Sequence, residues 1–151
     1  MTSMDELESG FRKKVERFIK EHLDVGVKLV VLSTYRSDDE QIALFAQGRR
    51  SIDKVNALRK KAKMPPISEQ ENAHTVTQVD GVTIKSMHQL RRACDLWYAK
   101  PNGDADWSVK DPVRIKSFGA IAKRLEMRWG GDFTPLDENG IGWDPNHLED
   151  I

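Results

Sequence analysis

A chain of 151 residues is long enough to bury a hydrophobic core without disulfide or metal staples, and is ordinary in size for one domain. Its 24 basic side chains are matched by 24 acidic ones, which excludes the one-signed field that holds a protein on nucleic acid or an anionic membrane. The single cysteine, Cys94, excludes an internal disulfide and leaves the fold independent of an oxidising compartment.

The N-terminal Met-Thr-Ser-Met-Asp-Glu-Leu-Glu lacks the basic start and apolar stretch of a signal peptide. No run reaches the ~20 apolar residues of a membrane span, so no stable membrane insertion is expected. Ser3 with Glu6 predicts a capping box, followed by a helix whose stripe of Leu7, Phe11, Val15 and Phe18 covers a sheet and which ends near Gly26. Val27 to Leu32 reads as a buried strand that delivers Thr34, Tyr35 and Arg36 at its end. Ser37 with Glu40 is a second capping box, so a helix bearing Gln41, Leu44 and Phe45 starts at once and stops at Gly48. Arg36 is thereby held between a strand and a helix start, a rigid place for a cation. A basic helix follows from Ile52 to Ala62 and ends before Pro65-Pro66, its Arg and Lys side chains forming a solvated face.

Thr75 to Ile84, around Asp80-Gly81, is expected to be a hairpin. Ala93 to Tyr98 is a short strand, apolar apart from Asp95, and period-two alternation turns the Cys94 thiol to the face opposite Asp95. Lys100-Pro-Asn-Gly-Asp104 is a surface turn, Asp111-Pro112 opens a helix to about Leu125, and Met127 to Trp129 forms a strand before Gly130-Gly131. Trp97, Trp129 and Trp143 suit a core, with Trp129 ahead of two glycines also placed to line a cleft. His22 and His74 read as solvated histidines. No repeat, low-complexity tract or linker interrupts the chain. The expected class is α+β, one domain over residues 1–151 with a small, mostly antiparallel sheet and helices packed on it.

Two stretches carry the chemistry, Ser86-Met-His88-Gln-Leu-Arg-Arg-Ala-Cys-Asp95 and Trp143-Asp144-Pro-Asn-His147-Leu-Glu149. His88, Asp95 and His147 supply three metal ligands and Asp144 a spare carboxylate. That is the inventory of a catalytic zinc site, which takes imidazoles or carboxylates and keeps a position open for water. Seven residues of straight strand would separate His88 from Asp95 by roughly 23 Å, and seven of helix by roughly 10 Å. A shared ion therefore requires a bend, with His88 on a loop and Asp95 on the strand that follows. Asp144-Pro145 favours a tight turn whose end alpha carbons lie within about 7 Å, setting Asp144 beside a metal held by His147. Glu149 is a candidate acceptor for the second ring nitrogen of His147.

These stretches, together with Ser33-Thr-Tyr-Arg36-Ser37, Leu44-Phe-Ala-Gln-Gly-Arg49 and Trp129-Gly-Gly-Asp132, resemble the zinc peptidases of the VanY and D-Ala-D-Ala carboxypeptidase group, and within it the phage L-alanyl-D-glutamate endolysins. The resemblance runs from about Leu29 to the C-terminus. It implies a Hedgehog/DD-peptidase-like fold with one zinc ion on His88, Asp95 and His147, Asp144 as general base, and Arg36 assisting at the scissile carbonyl. Ser86, Gln41 and Trp129 are implied as substrate contacts. The implied reaction is hydrolysis of the L-Ala-D-Glu bond of the peptidoglycan stem peptide; a monomer is expected, and the uninterrupted chain predicts no separate wall-binding module. A phage lysin of this kind is made in the host cytoplasm and reaches the wall through a holin pore. Family members often carry Gly three residues after the first His, where this chain has Arg91, so the loop before Asp95 is expected to differ in path. Two alternatives remain open at this stage. One is a D-Ala-D-Ala carboxypeptidase using Arg91 or Arg92 for the terminal carboxylate. The other is a zinc-dependent binding protein without catalysis, against which the retention of Asp144 argues.

Overall fold

In the computed structural model, which describes residues 2–151, the elements follow in the order α1 (Ser9–Asp24), β1 (Leu29–Ser33), α2 (Asp38–Ala46), α3 (Ile52–Lys61), β2 (Ala93–Tyr98), α4 (Pro112–Arg124), β3 (Met127–Trp129) and β4 (His147–Asp150). The class is α+β, as expected. Two compact units are formed, one from the chain up to Tyr35 together with Arg91–Ile151, the other from Arg36–Leu90.

The first unit contains a four-stranded sheet in the order β1-β2-β4-β3, antiparallel throughout. β2 is central, and its residues are buried except for the half-buried Asp95. The register places Asp95 directly opposite His147 on β4, so sheet pairing alone brings two of the predicted ligands together. Phe11, Val15 and Phe18 of α1 and Phe118 and Ala122 of α4 join Cys94, Leu96, Met127 and Leu148 of the sheet in one core. Each fully buried large apolar side chain contributes roughly 1.5–3 kcal/mol. The Cys94 thiol is fully buried, and burial pushes its pKa far up, as a core thiol requires. Gly119 lets α4 lie against Trp129, because a Cβ there would fall 2.2 Å from the indole.

Several expectations are corrected. Ser3 caps only a short 3-10 turn, Met4–Glu6. α1 begins later, where the Glu8 carboxylate accepts the N–H groups of Gly10 and Phe11, both at 2.9 Å, satisfying the orphan donors of its first turn. β1 is an edge strand whose residues are all half-buried, not a buried one. His22 is buried at 4 % exposure. It extends the stripe Phe11-Val15-Phe18 by four residues, its Nδ1 lies 2.9 Å from the Phe18 carbonyl oxygen, and burial holds its pKa below the usual histidine value. β4 is a strand that its own sequence does not predict.

In the second unit α2 and α3 follow their caps. The Ser37 hydroxyl accepts the Glu40 N–H at 3.1 Å and in turn donates to the Glu40 carboxylate at 3.2 Å, while Ser51 caps α3. Thr75 to Ile84 forms no hairpin strands. The Asp80 carboxylate accepts the N–H groups of Val82, Thr83 and Ile84 at 2.9–3.2 Å and the Thr83 hydroxyl. Those donors are thereby withdrawn from a ladder.

Candidate metal centre

His88 lies on a loop built by its neighbours. The Ser86 hydroxyl accepts the His88 N–H at 3.2 Å, and Gln89 accepts the Ser86 N–H at 2.8 Å. The His88 carbonyl accepts the Arg36 N–H at 3.3 Å, and the His88 side chain is buried at 2 % exposure. Ser86 is thus placed as a support of the loop. The Arg36 guanidinium donates to the Gln41 amide oxygen at 3.4 Å. Gln41 is fully buried, and its NH2 group donates to the Thr77 hydroxyl at 3.2 Å and the Val79 carbonyl at 2.8 Å. With both ends of its amide engaged, Gln41 orients Arg36.

On the sheet, His147 Nδ1 lies 3.0 Å from an Asp95 oxygen, and Nε2 lies 2.9 Å from a Glu149 oxygen. The Asp144 carboxylate is 3.8 Å from Nδ1. The turn expected at Asp144 is present, closed by the His147 N–H donating to the Asp144 carbonyl at 3.1 Å. Trp129 is 3 % exposed, and its indole N–H donates to the Pro145 carbonyl at 2.7 Å. It therefore stands behind the turn as a brace. Gly130 has a similar cause: a Cβ there would meet the Asp144 carbonyl oxygen at 2.0 Å and the His147 Cβ at 2.9 Å, so only glycine lets the turn lie this close. From sequence, Trp129 ahead of two glycines suits a core or a cleft wall; in the structure its indole is buried against the turn.

The charges around His147 test whether the donors suit a metal. Burial opposes protonation of the ring, but Asp95 and Glu149 outweigh it by accepting from the two nitrogens, and with Asp144 they raise its pKa to about 9. Glu149 is correspondingly lowered: burial works against ionisation, and the hydrogen bond from His147 prevails. Carboxylates that favour positive charge on this ring also favour a divalent cation beside it. One ligand atom each from His88, Asp95 and His147 lies within 4.8 Å of the others, and two imidazoles with a carboxylate form a donor set suited to zinc. Glu149 fixes the orientation of the ring from its far side, leaving Nδ1 to face Asp95.

Arg91, the residue in place of the family glycine, has φ +63°, the left-handed region that glycine enters freely and that costs other residues about 1–2 kcal/mol. Its guanidinium stacks 3.9 Å over the Tyr35 ring and donates to the Glu6 carbonyl at 3.1 Å. Arg92 is paired with Asp150 at 2.9 Å. Among the described residues, no helix is long and apolar enough to cross a membrane.

His88 on its loop and Asp95 and His147 on the sheet, with the carboxylates of Asp144 and Glu149 beside His147, form a donor group of the kind a metallopeptidase uses. The chain belongs to the VanY family: residues 4–149 match its family model, described as D-alanyl-D-alanine carboxypeptidase. No curated protein sequence matches the chain. Among solved structures it is similar to the vancomycin-resistance D,D-pentapeptidase VanY of the VanB-type cassette in complex with Zn(II), at 20% identity and TM-score 0.56, covering 96% of this chain and 72% of that one. The LdcB LD-carboxypeptidase is similar at 16% identity and TM-score 0.57, covering 96% of this chain and 59% of that one. The D,D-dipeptidase VanXYg gives 18% identity, TM-score 0.52, and coverage of 96% and 50%. At these identities the likeness is one of fold.

Proposed function

We propose that this protein is a zinc-dependent peptidoglycan hydrolase that cuts the L-Ala-D-Glu bond of the stem peptide, acting as a phage endolysin on the cell wall. The observation that carries the reading is the His147 ring set between Asp95 and Glu149, with the Asp144 carboxylate 3.8 Å from the same nitrogen that Asp95 faces. When bound by His88, Asp95 and His147 Nδ1, zinc supplies Lewis acidity that activates water and polarises a carbonyl.

The chain's own groups do the rest. Asp144, beside the ligands and outside their set, accepts a proton from the attacking water and returns it to the leaving amine. Arg36, oriented by Gln41, presents its guanidinium to the oxygen on which negative charge develops. Glu149 keeps the His147 ring in one tautomer. No covalent intermediate is needed.

The choice of bond is supported by Leu44-Phe-Ala-Gln-Gly-Arg49, which resembles the endopeptidases. It is supported also by the commitments of Arg91 to Tyr35 and Glu6 and of Arg92 to Asp150, which occupy the two cations considered for a terminal carboxylate. The second reading, a D-Ala-D-Ala carboxypeptidase, is favoured by the description of the family model and by a related structure, VanYB, solved with D-alanine-D-alanine. Mass spectrometry of purified peptidoglycan after digestion separates them. A new amino terminus on D-Glu supports the proposal, and release of free D-Ala overturns it.

A further inference from the structure

The first unit carries a cleft of about 510 Å3 bordered by Trp97, Trp107, Trp143, Asn139, Pro145 and Asn146. Trp107 is 57% exposed and Trp143 48%, so two indole faces border the cleft in contact with water. Both indoles are backed by other rings. Trp107 lies nearly parallel to Trp97, at 18° with centroids 6.4 Å apart, and Trp143 leans on Phe133 at 5.9 Å. The loop bearing Asn139 is fixed by the Asp137 carboxylate, which accepts the N–H groups of Asn139 and Ile141 at 2.8 and 2.9 Å. Firm flat apolar faces with amide groups beside them suit a sugar ring: its C–H face packs on indole, and its hydroxyl and acetamido groups find polar partners.

We infer that this cleft is the subsite for the glycan strand, holding the N-acetylated amino sugars to which the stem peptide is attached. The inference rests on the L-Ala-D-Glu reading, because distance decides the occupant. Pro145 and Asn146 border the cleft and lie between Asp144 and His147, so one wall of the cleft is the turn that carries the proposed base and a proposed ligand. L-Ala is joined directly to the lactyl group of the muramic acid, and one residue spans about 3.5 Å. A scissile D-Ala-D-Ala bond would move the sugar three residues, about 10 Å, further away.

Two measurements on the full-length zinc-loaded enzyme test this. The first compares kcat/KM on a disaccharide-linked stem peptide with that on the same peptide without sugar. Wild type should prefer the former by about tenfold or more, the worth of roughly one well-stacked ring. Trp107→Ala should erase the preference while leaving the sugar-free peptide unchanged, and Trp107→Tyr should restore part of it. The second titrates the disaccharide alone against intrinsic tryptophan fluorescence, which should change in wild type and not in Trp107→Ala. Absence of both preference and fluorescence change overturns the proposal. Equal loss on both substrates in Trp107→Ala also overturns it, since the cleft would then serve the peptide. A fluorescence change with a D-Ala product would sink the L-Ala-D-Glu reading and the distance argument built on it, while leaving the cleft a sugar-binding site.

Discussion

Removing Glu149 separates two roles that its position allows. Its carboxylate is 2.9 Å from His147 Nε2, and its side chain is only 12% exposed, so water does not readily replace it. Glu149→Ala would leave a buried imidazole N–H without its acceptor, a loss of about 1–3 kcal/mol. Because the ring is a metal ligand in this account, that loss appears as weaker binding of zinc, about 10- to 100-fold in Kd. Glu149→Gln keeps an acceptor oxygen but gives up the charge, so its loss should be smaller. Competition titration against a chromophoric chelator gives Kd, and turnover at saturating zinc gives kcat. The expected pattern is a raised Kd with kcat within about threefold of wild type, because a group acting through a ligand's orientation weakens binding more than the proton transfers made by Asp144. An unchanged Kd would refute the orienting role. A collapse of kcat at saturating zinc would make Glu149 the general base in place of Asp144.

Asp144→Ala should lower hydrolysis by about 100-fold or more while zinc content stays at wild-type level, measured by metal analysis on the assayed sample; near-normal turnover would remove it from the mechanism. Arg36→Lys should lower kcat far more than it raises KM, since an ammonium lacks the planar fork, whereas lost thermal stability with normal kcat would return Arg36 to the scaffold. Burial lowers the pKa of His22 in the fold, so the unfolded chain binds the proton more readily. The stability this group contributes is full above about pH 6.5 and is lost as pH falls through the lowered value. The melting temperature of wild type should therefore drop more steeply on acidification than that of His22→Leu, and parallel profiles would contradict the assignment.

What the sequence made legible follows the range of the forces involved. β2 was read with its observed bounds because a short apolar run interrupted by Asp95 is a local signal. α2 and α4 were marked by caps a few residues long, Ser37 with Glu40 and Asp111 before Pro112. β4 was not legible: His-Leu-Glu-Asp has one apolar residue, and it is extended only because β2 and β3 pair with it on both sides. The failed hairpin reflects one carboxylate, Asp80, outcompeting a ladder for backbone donors. The candidate ligands are visible as motif spacing, but their supports act through space. Trp129 braces Pro145 across sixteen residues, and Gly130 makes room for Asp144; neither contact leaves a periodic trace. His22 was recoverable, since it falls on the same helical stripe as Phe11 and Phe18.

The proposed function requires zinc on two imidazoles and one carboxylate from distant parts of the sequence, with His147 binding through Nδ1 while Nε2 faces Glu149. A crystal structure of the zinc-loaded protein with anomalous diffraction at the zinc edge tests it most directly. One ion is expected on His88, Asp95 and His147 Nδ1, with metal–nitrogen distances of about 2.0–2.1 Å. An ion bound elsewhere, or held through Nε2 of His147 in place of Nδ1, would contradict it.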